Sequence, residues 1–238
     1  MRSVALCLML CGMLVISGCL YPDHLRKENQ VPPHEYIMLV QNAVDLYRQK
    51  TGVLPIKNSE MDTPVYEKYV IDFRRLKDQH VLGAIPANAF ENGGTNLYVL
   101  VDAETEPKVK LLDLISYQQI GDLQKKSDEY RKKHGGKLPA GERINDHFYW
   151  LDTKKLGMNN VEIRSPYSRQ LLNPVIHESG KVALDYGPDI MRLLEQKPPE
   201  ASDPGQDLRE LLVREFNHVP VHSFPYRFIN NEPVLSEN

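Results

Sequence analysis

Cysteine is scarce in this chain: there are three, at positions 7, 11 and 19, and none follows Cys19. Disulfide and thiol chemistry are therefore excluded from everything beyond that point. An excess of charge of one sign is also lacking. Lys and Arg number 29 against 32 Asp and Glu, a mildly acidic surface that offers no general attraction for nucleic acid. Aromatic residues interleaved with basic ones, as base stacking requires, are missing too. No apolar run reaches the ~20 residues that a helix needs to cross ~30 Å of hydrocarbon. There is no Gly-x-Ser-x-Gly elbow, no His-Glu-x-x-His pair and no Walker-type phosphate loop. The sequence accordingly assigns no catalytic, cofactor-binding or metal-ligating residue, names no cofactor, and is read as that of a protein that is not an enzyme.

What is present starts at the N-terminus. Only Arg2 is charged in the first eighteen residues, and Val4 to Ile16 is an apolar stretch of thirteen. That length suits the apolar region of a signal peptide. Small residues, Ser17 and Gly18, precede Cys19. The run Leu14-Val15-Ile16-Ser17-Gly18-Cys19 resembles the lipobox of bacterial lipoprotein precursors. The resemblance implies a signal peptide over 1–18, a diacylglyceryl group on the Cys19 thiol, and a tether over 19–33. It places the body at the extracytoplasmic face of the cell membrane. Each buried methylene contributes roughly 0.8 kcal/mol, and two acyl chains suffice for stable attachment. Loss of the leader would remove Arg2 and no acid, leaving 28 basic against 32 acidic residues. An ordinary secretory leader, or a cytosolic protein with an apolar N-terminus, is the plainer alternative.

The chain also matches itself. Asp45-Leu46-Tyr47-Arg48-Gln49-Lys50-Thr51-Gly52-Val53-Leu54-Pro55 aligns, with one insertion, on Asp128-Glu129-Tyr130-Arg131-Lys132-Lys133-His134-Gly135-Gly136-Lys137-Leu138-Pro139. Upstream, Ile37, Val40, Val44 and Tyr47 align without gaps on Ile120, Leu123, Ser127 and Tyr130, a spacing that marks one face of a helix. Gly52 and Gly136 stand where a left-handed cap is needed, and the Leu-Pro that follows favours an extended chain. Downstream, Asp72 to Leu76 pairs with Asp152 to Leu156. Short β-type runs follow. In the first copy they are Val65–Phe73, Leu97–Val101 and Val109–Leu112; in the second, His147–Leu151, Pro174–His177 and Val182–Tyr186. The expected fold is α+β: two tandem repeats of a helix plus short strands, over 34–115 and 116–195, packed together. A Pro-rich linker covers 196–206, and a shortened third unit covers 207–238, with a helix over 207–216 and two strands around Asn230-Asn231.

Candidate chemistry is thin. Apart from His24 and His34, in and next to the tether, the histidines are His80, His134, His147, His177, His218 and His222, and of these only the last two are close in sequence. Pro220 lies between them and opposes a helix, and in an extended strand they would stand ~13 Å apart, too far for one zinc ion. Asp72 and Asp152, at equivalent places, invite comparison with paired catalytic carboxylates; a turn or helix cap is the plainer reading of each. Lys125, Lys126, Arg131, Lys132, Lys133 and Lys137 form a basic cluster on the second helix that suits anionic lipid or an anionic wall polymer, or simply a solvated face.

The Tyr…Gly-x-Leu-Pro stretch is similar to the region after the long helix of pseudopilins, which however retain an apolar helix where this chain has a short segment ending in cysteine. As a whole the chain resembles the uncharacterised exported lipoproteins of Gram-positive spore-forming bacteria, some of which have been labelled substrate-binding proteins of transporters. The reading that follows is a membrane-anchored, non-enzymatic binding or envelope-assembly protein. Its partners are the membrane, through Cys19, and a protein or anionic envelope polymer, but no nucleic acid. The alternatives are a solute-binding lipoprotein of an ABC transporter and a small envelope hydrolase.

Overall fold

In the computed structural model, residues 31–196 and 206–237 are described. Cys19, the signal-peptide stretch and nearly all of the expected tether and linker lie outside them. The fold is α+β. Pro33 enters α1 (Pro33–Thr51) in its first turn, where the missing N–H has no partner to lose. Ile37, Val40, Val44 and Tyr47 form its buried face, and Gly52, at φ 76°, ends it by donating to the Arg48 carbonyl. The chain then runs extended through Pro55, whose carbonyl accepts the Asp72 N–H at 2.7 Å. Asp72 caps α2 (Phe73–Asp78) by accepting the Arg74 N–H at 3.0 Å.

The strand expected over Val65–Phe73 is therefore corrected. Glu67 donates to the Pro64 carbonyl in a turn, only Val70 and Ile71 make strand-like bridges, and Phe73 already belongs to α2. Pro64 and the Asp72 cap outweigh the β-propensity of the residues between them. The hairpin β1 (Asn96–Val101) and β2 (Lys108–Asp113) follows a tight turn. Gly94 is required in that turn, because a Cβ there would overlap the Asn88 carbonyl. One face of the hairpin, with Tyr98, Leu100, Val109 and Leu111, packs on α1.

No loop separates the two units. Asp113 ends β2 and caps α3 (Leu114–Lys133), accepting the Ser116 N–H at 3.1 Å. After Gly135 and Gly136, both at positive φ, comes an antiparallel sheet in the order β3 (Ala140–Arg143), β4 (Phe148–Leu151), β7 (Pro174–His177), β8 (Val182–Leu184). A short hairpin of β5 (Ile163–Arg164) and β6 (Leu171–Leu172) is inserted between β4 and β7. Asp152 donates its N–H to the Pro139 carbonyl at 2.9 Å and caps a single 3-10 turn, Thr153–Leu156.

The two units share one clamp. Gln41 on α1 accepts the Val109 N–H at 2.8 Å and donates to the Pro107 carbonyl at 3.0 Å and to Asp45 at 3.0 Å. Gln124 on α3 accepts the Val182 N–H at 2.7 Å and donates to the Gly180 carbonyl at 3.0 Å and to Asp128 at 3.2 Å. Each glutamine thus holds the return strand of a hairpin against its helix.

A helix that the sequence reading leaves out, α4 (Gly187–Gln196), follows β8 and buries Ile190, Leu193 and Leu194. The C-terminal part holds α5 (Arg209–Glu215) and the hairpin β9 (Tyr226–Ile229) and β10 (Glu232–Leu235). It does not stand apart. Leu208, Tyr226 and Leu235 join the core of the second unit. Val213, Val219 and Val221 cover the outer face of β1, where Val99 and Val101 point away from α1.

Between them, the backbone of residues 217–222 runs from one unit to the other. Leu111 of β2 donates to the Asn217 carbonyl at 2.8 Å and accepts from Val219 at 2.9 Å; Leu184 of β8 donates to the His222 carbonyl at 2.8 Å. Replacing Gln124 by leucine keeps the volume but leaves the Val182 N–H and the Gly180 carbonyl without their clamp. The variant is expected to be less stable by about 1–3 kcal/mol, read from the midpoint of urea unfolding, and Gln41→Leu should behave alike.

Candidate functional site

The aspartates at matching positions do not form a pair. Asp72 faces Arg75 at 3.5 Å and Asp152 faces Lys155 at 3.7 Å, each held at the turn it caps. Of the basic cluster, Lys125, Lys126, Lys132 and Lys133 on α3 and Lys137 just beyond it are exposed. Arg131 differs: its guanidinium fills the space where a side chain at Gly180 would lie, so it packs on the β7–β8 turn.

His134 stacks on Tyr130 at 3.9 Å between ring centres. His218 and His222 serve separate partners. His218 Nε2 lies 3.2 Å from Asn96 Oδ1, and burial pushes its pKa down to about 4. His222 stacks on Tyr117 at 4.6 Å and donates its backbone N–H to Glu67 at 2.6 Å; burial lowers its pKa, against the pull of the Glu67 carboxylate.

Two concave regions carry chemistry that the sequence reading did not single out. The first is a groove of about 450 Å³ between the β1–β2 hairpin, the turn around Tyr66 and α5. That volume is within the range of small-ligand sites. Tyr66 and Tyr69 supply aromatic surface, Lys108, Lys110 and Arg214 supply cations, and Asp102, Asp207 and Glu210 supply anions. Burial keeps the Tyr66 hydroxyl protonated by raising its pKa well above the usual value. Burial, followed by the neighbouring Lys108, lowers the pKa of Lys110, whose Nζ donates to the Phe216 carbonyl at 2.7 Å.

Arg209 cross-links the wall behind these groups. Arg209 lies over the Tyr66 ring at 5.1 Å, pairs with Asp207 at 2.7 Å and donates to the Ser223 carbonyl at 2.9 Å. The groove can recognise a partner that offers both signs of charge together with apolar surface.

The second region lies at one end of β4 and β7. His147, His177, Glu178 and Glu237 bring their ligand atoms within 4.8 Å of one another. These residues come from three separate segments, so no spacing in the sequence could have announced them. The adjacent pair His177-Glu178 is the only local sign.

A family model described as the YphF family N-terminal domain matches residues 33–113. That span starts with α1 and ends with β2, about a third of the chain. No curated protein and no solved structure matches.

The burial of His218 has a pH signature. An unfolded histidine titrates near 6.5 and the buried one near 4, so between those values the unfolded chain holds the extra proton. Stability should therefore be complete above about pH 6.5 and fall as the pH drops toward 4, by about 3 kcal/mol from this group. His222 acts in the same direction. Unfolding free energies measured from pH 7 to pH 4 should show the loss, and His218→Gln should make the dependence shallower.

Proposed function

We propose that this chain is a membrane-anchored extracytoplasmic lipoprotein whose body binds a partner in the cell envelope without transforming it. The observation that carries the reading is Ile16-Ser17-Gly18-Cys19 at the end of an apolar stretch of signal-peptide length. In this reading a diacylglyceryl group on the Cys19 thiol holds the body at the extracytoplasmic face of the membrane. The groove beside Tyr66 is the binding face. Its paired cations and acids suit a peptide-like or polymer partner that carries both charges, and its tyrosines supply contact area at a small loss of conformational freedom.

The two helix-plus-strand units are read as copies of one element. The support is the shared clamp of Gln41 and Gln124 together with the shared caps of Asp72 and Asp152. A solute-binding lipoprotein is the second reading, favoured by the groove's volume, which suits a small molecule.

The anchor is tested on the intact protein in a bacterial host. The wild-type chain should be recovered with membranes and carry lipid on an N-terminal cysteine by mass spectrometry, and Cys19→Ala should leave the membrane fraction. A cytosolic product that keeps Met1 would overturn the reading. For the binding face, affinity capture from membranes should recover a partner that the Lys108→Glu, Arg214→Glu double variant loses at least tenfold. Equal recovery by both forms would place binding elsewhere.

A further inference from the structure

The cluster at the end of β4 and β7 has the composition of a transition-metal site. We propose that His147, His177, Glu178 and Glu237 bind one Zn²⁺ or a closely similar divalent ion. The donor set is two imidazoles and two carboxylates. Imidazole suits Zn²⁺ and its neighbours, whereas Mg²⁺ and Ca²⁺ prefer all-oxygen shells. Zinc at ~2.0–2.1 Å from each of four ligands in a tetrahedron sets neighbouring donors roughly 3.3 Å apart. The observed separations suit that value: His177 Nε2 to Glu237 Oε1 is 2.7 Å, His147 Nδ1 to Glu178 Oε1 is 3.2 Å, and one ligand atom from each of the four residues lies within 4.8 Å of the others. Small rotations of exposed side chains would close the shell.

The surroundings orient these ligands as metal-binding side chains need to be oriented. The Glu178 N–H donates to the His147 carbonyl at 2.9 Å, which fixes the two residues opposite each other across the sheet. Asn145 holds both approaches. Its Oδ1 accepts the His147 N–H at 3.1 Å, and its Nδ2 donates to the Leu235 carbonyl at 3.1 Å, two residues before Glu237. His177 packs against the rings of Phe148, at 4.9 Å, and Phe224, at 5.2 Å, with its Nε2 2.7 Å from Glu237 Oε1.

On the far side of His177, Nδ1 lies 2.8 Å from Ser179 Oγ and 3.2 Å from the Ser179 N–H. Without an ion, Nδ1 accepts these groups and the ring proton sits on Nε2, donated to Glu237. With the ion on Nε2, that proton moves to Nδ1 and is donated to Ser179 Oγ, the outer contact that metal-bound histidines use, and the Ser179 N–H gives up its bond to Nδ1. His147 Nδ1 is buried and makes no well-aligned hydrogen bond in spite of its nearness to Glu178, so plain ion pairing leaves it unsatisfied and coordination would satisfy it. His147, Glu178 and Glu237 are about half exposed, which gives an ion a way in, while His177 is only 11% exposed.

The test uses the 238-residue chain with Cys7, Cys11 and Cys19 replaced by serine, because free thiols would bind zinc themselves. After treatment with chelator, calorimetric titration with Zn²⁺ should give one ion per chain and a rise in Tm. Co²⁺ should give the intense visible absorption of a four-coordinate ion with nitrogen and oxygen ligands. Glu237→Gln, a change on an exposed side chain, and His177→Gln should each weaken Zn²⁺ binding at least tenfold, and His80→Gln should leave it unchanged. Absence of Zn²⁺ binding by the parent would overturn the site. So would Glu237→Gln binding as tightly as the parent, or Mg²⁺ raising Tm as much as Zn²⁺.

Discussion

The backbone from Asn217 to His222 is the constraint on which the arrangement of this molecule depends. At one end it exchanges hydrogen bonds with Leu111 of β2; at the other its carbonyl receives the Leu184 N–H of β8. These strands belong to different units, and each would otherwise present an open edge. Glu67 accepts the His222 N–H from the first unit, and the Tyr186 hydroxyl donates to the Val221 carbonyl from the second. The side chains follow the same logic. Val219 and Val221 are buried against Val99 and Leu112, on the hairpin face that α1 leaves uncovered. A six-residue stretch with little regular structure thus does the work of a central strand. It also sets one wall of the groove, because α5 leads directly into it.

Helices α1 and α3 were legible because a long segment with one apolar face has a single stable way to fold beside a sheet. Ile37, Val40 and Val44 are buried where the spacing put them, as are Ile120 and Leu123. The glycines at Gly52 and Gly136 took the left-handed backbone that their position after each helix required. Strand identity was less legible. Residues Val65 to Ile71 have the composition of a strand, yet Pro64 opens a turn and Asp72 starts a helix, so propensity gave way to end effects. Helix α4 escaped because Gly187-Pro188 reads as a break, whereas proline in a first helical turn loses no bond. Hairpin β5–β6 is two residues long on each side, too short for any period to show.

The sites were nearly invisible in the sequence, for a topological reason. The groove takes residues from the turn at Tyr66, from β1 and β2, and from the region of Asp207 to Arg214. The histidine–glutamate cluster takes residues from three places that approach only after β4, β7 and β10 have paired. Motif reading depends on ligands close in sequence, and here only His177 and Glu178 are neighbours. The pairs that did look meaningful were local solutions. Asp72 and Asp152 each satisfy the start of a short helix, and His218 and His222 each stabilise their own stretch of the connecting backbone.

The order of the chain gives the connecting backbone a temporal meaning. Both units precede residues 217–222 in the chain, so until those residues emerge β2 and β8 have no cover on the sides that they later occupy. The early chain can form α1 with its hairpin and α3 with its sheet from contacts close at hand, while the junction must wait for partners more than a hundred residues away from Leu111. A nascent or shortened chain would therefore show two sticky sheet margins to its neighbours. Docking of residues 217–222, rather than collapse of either unit, is the step that turns two half-protected pieces into one closed body.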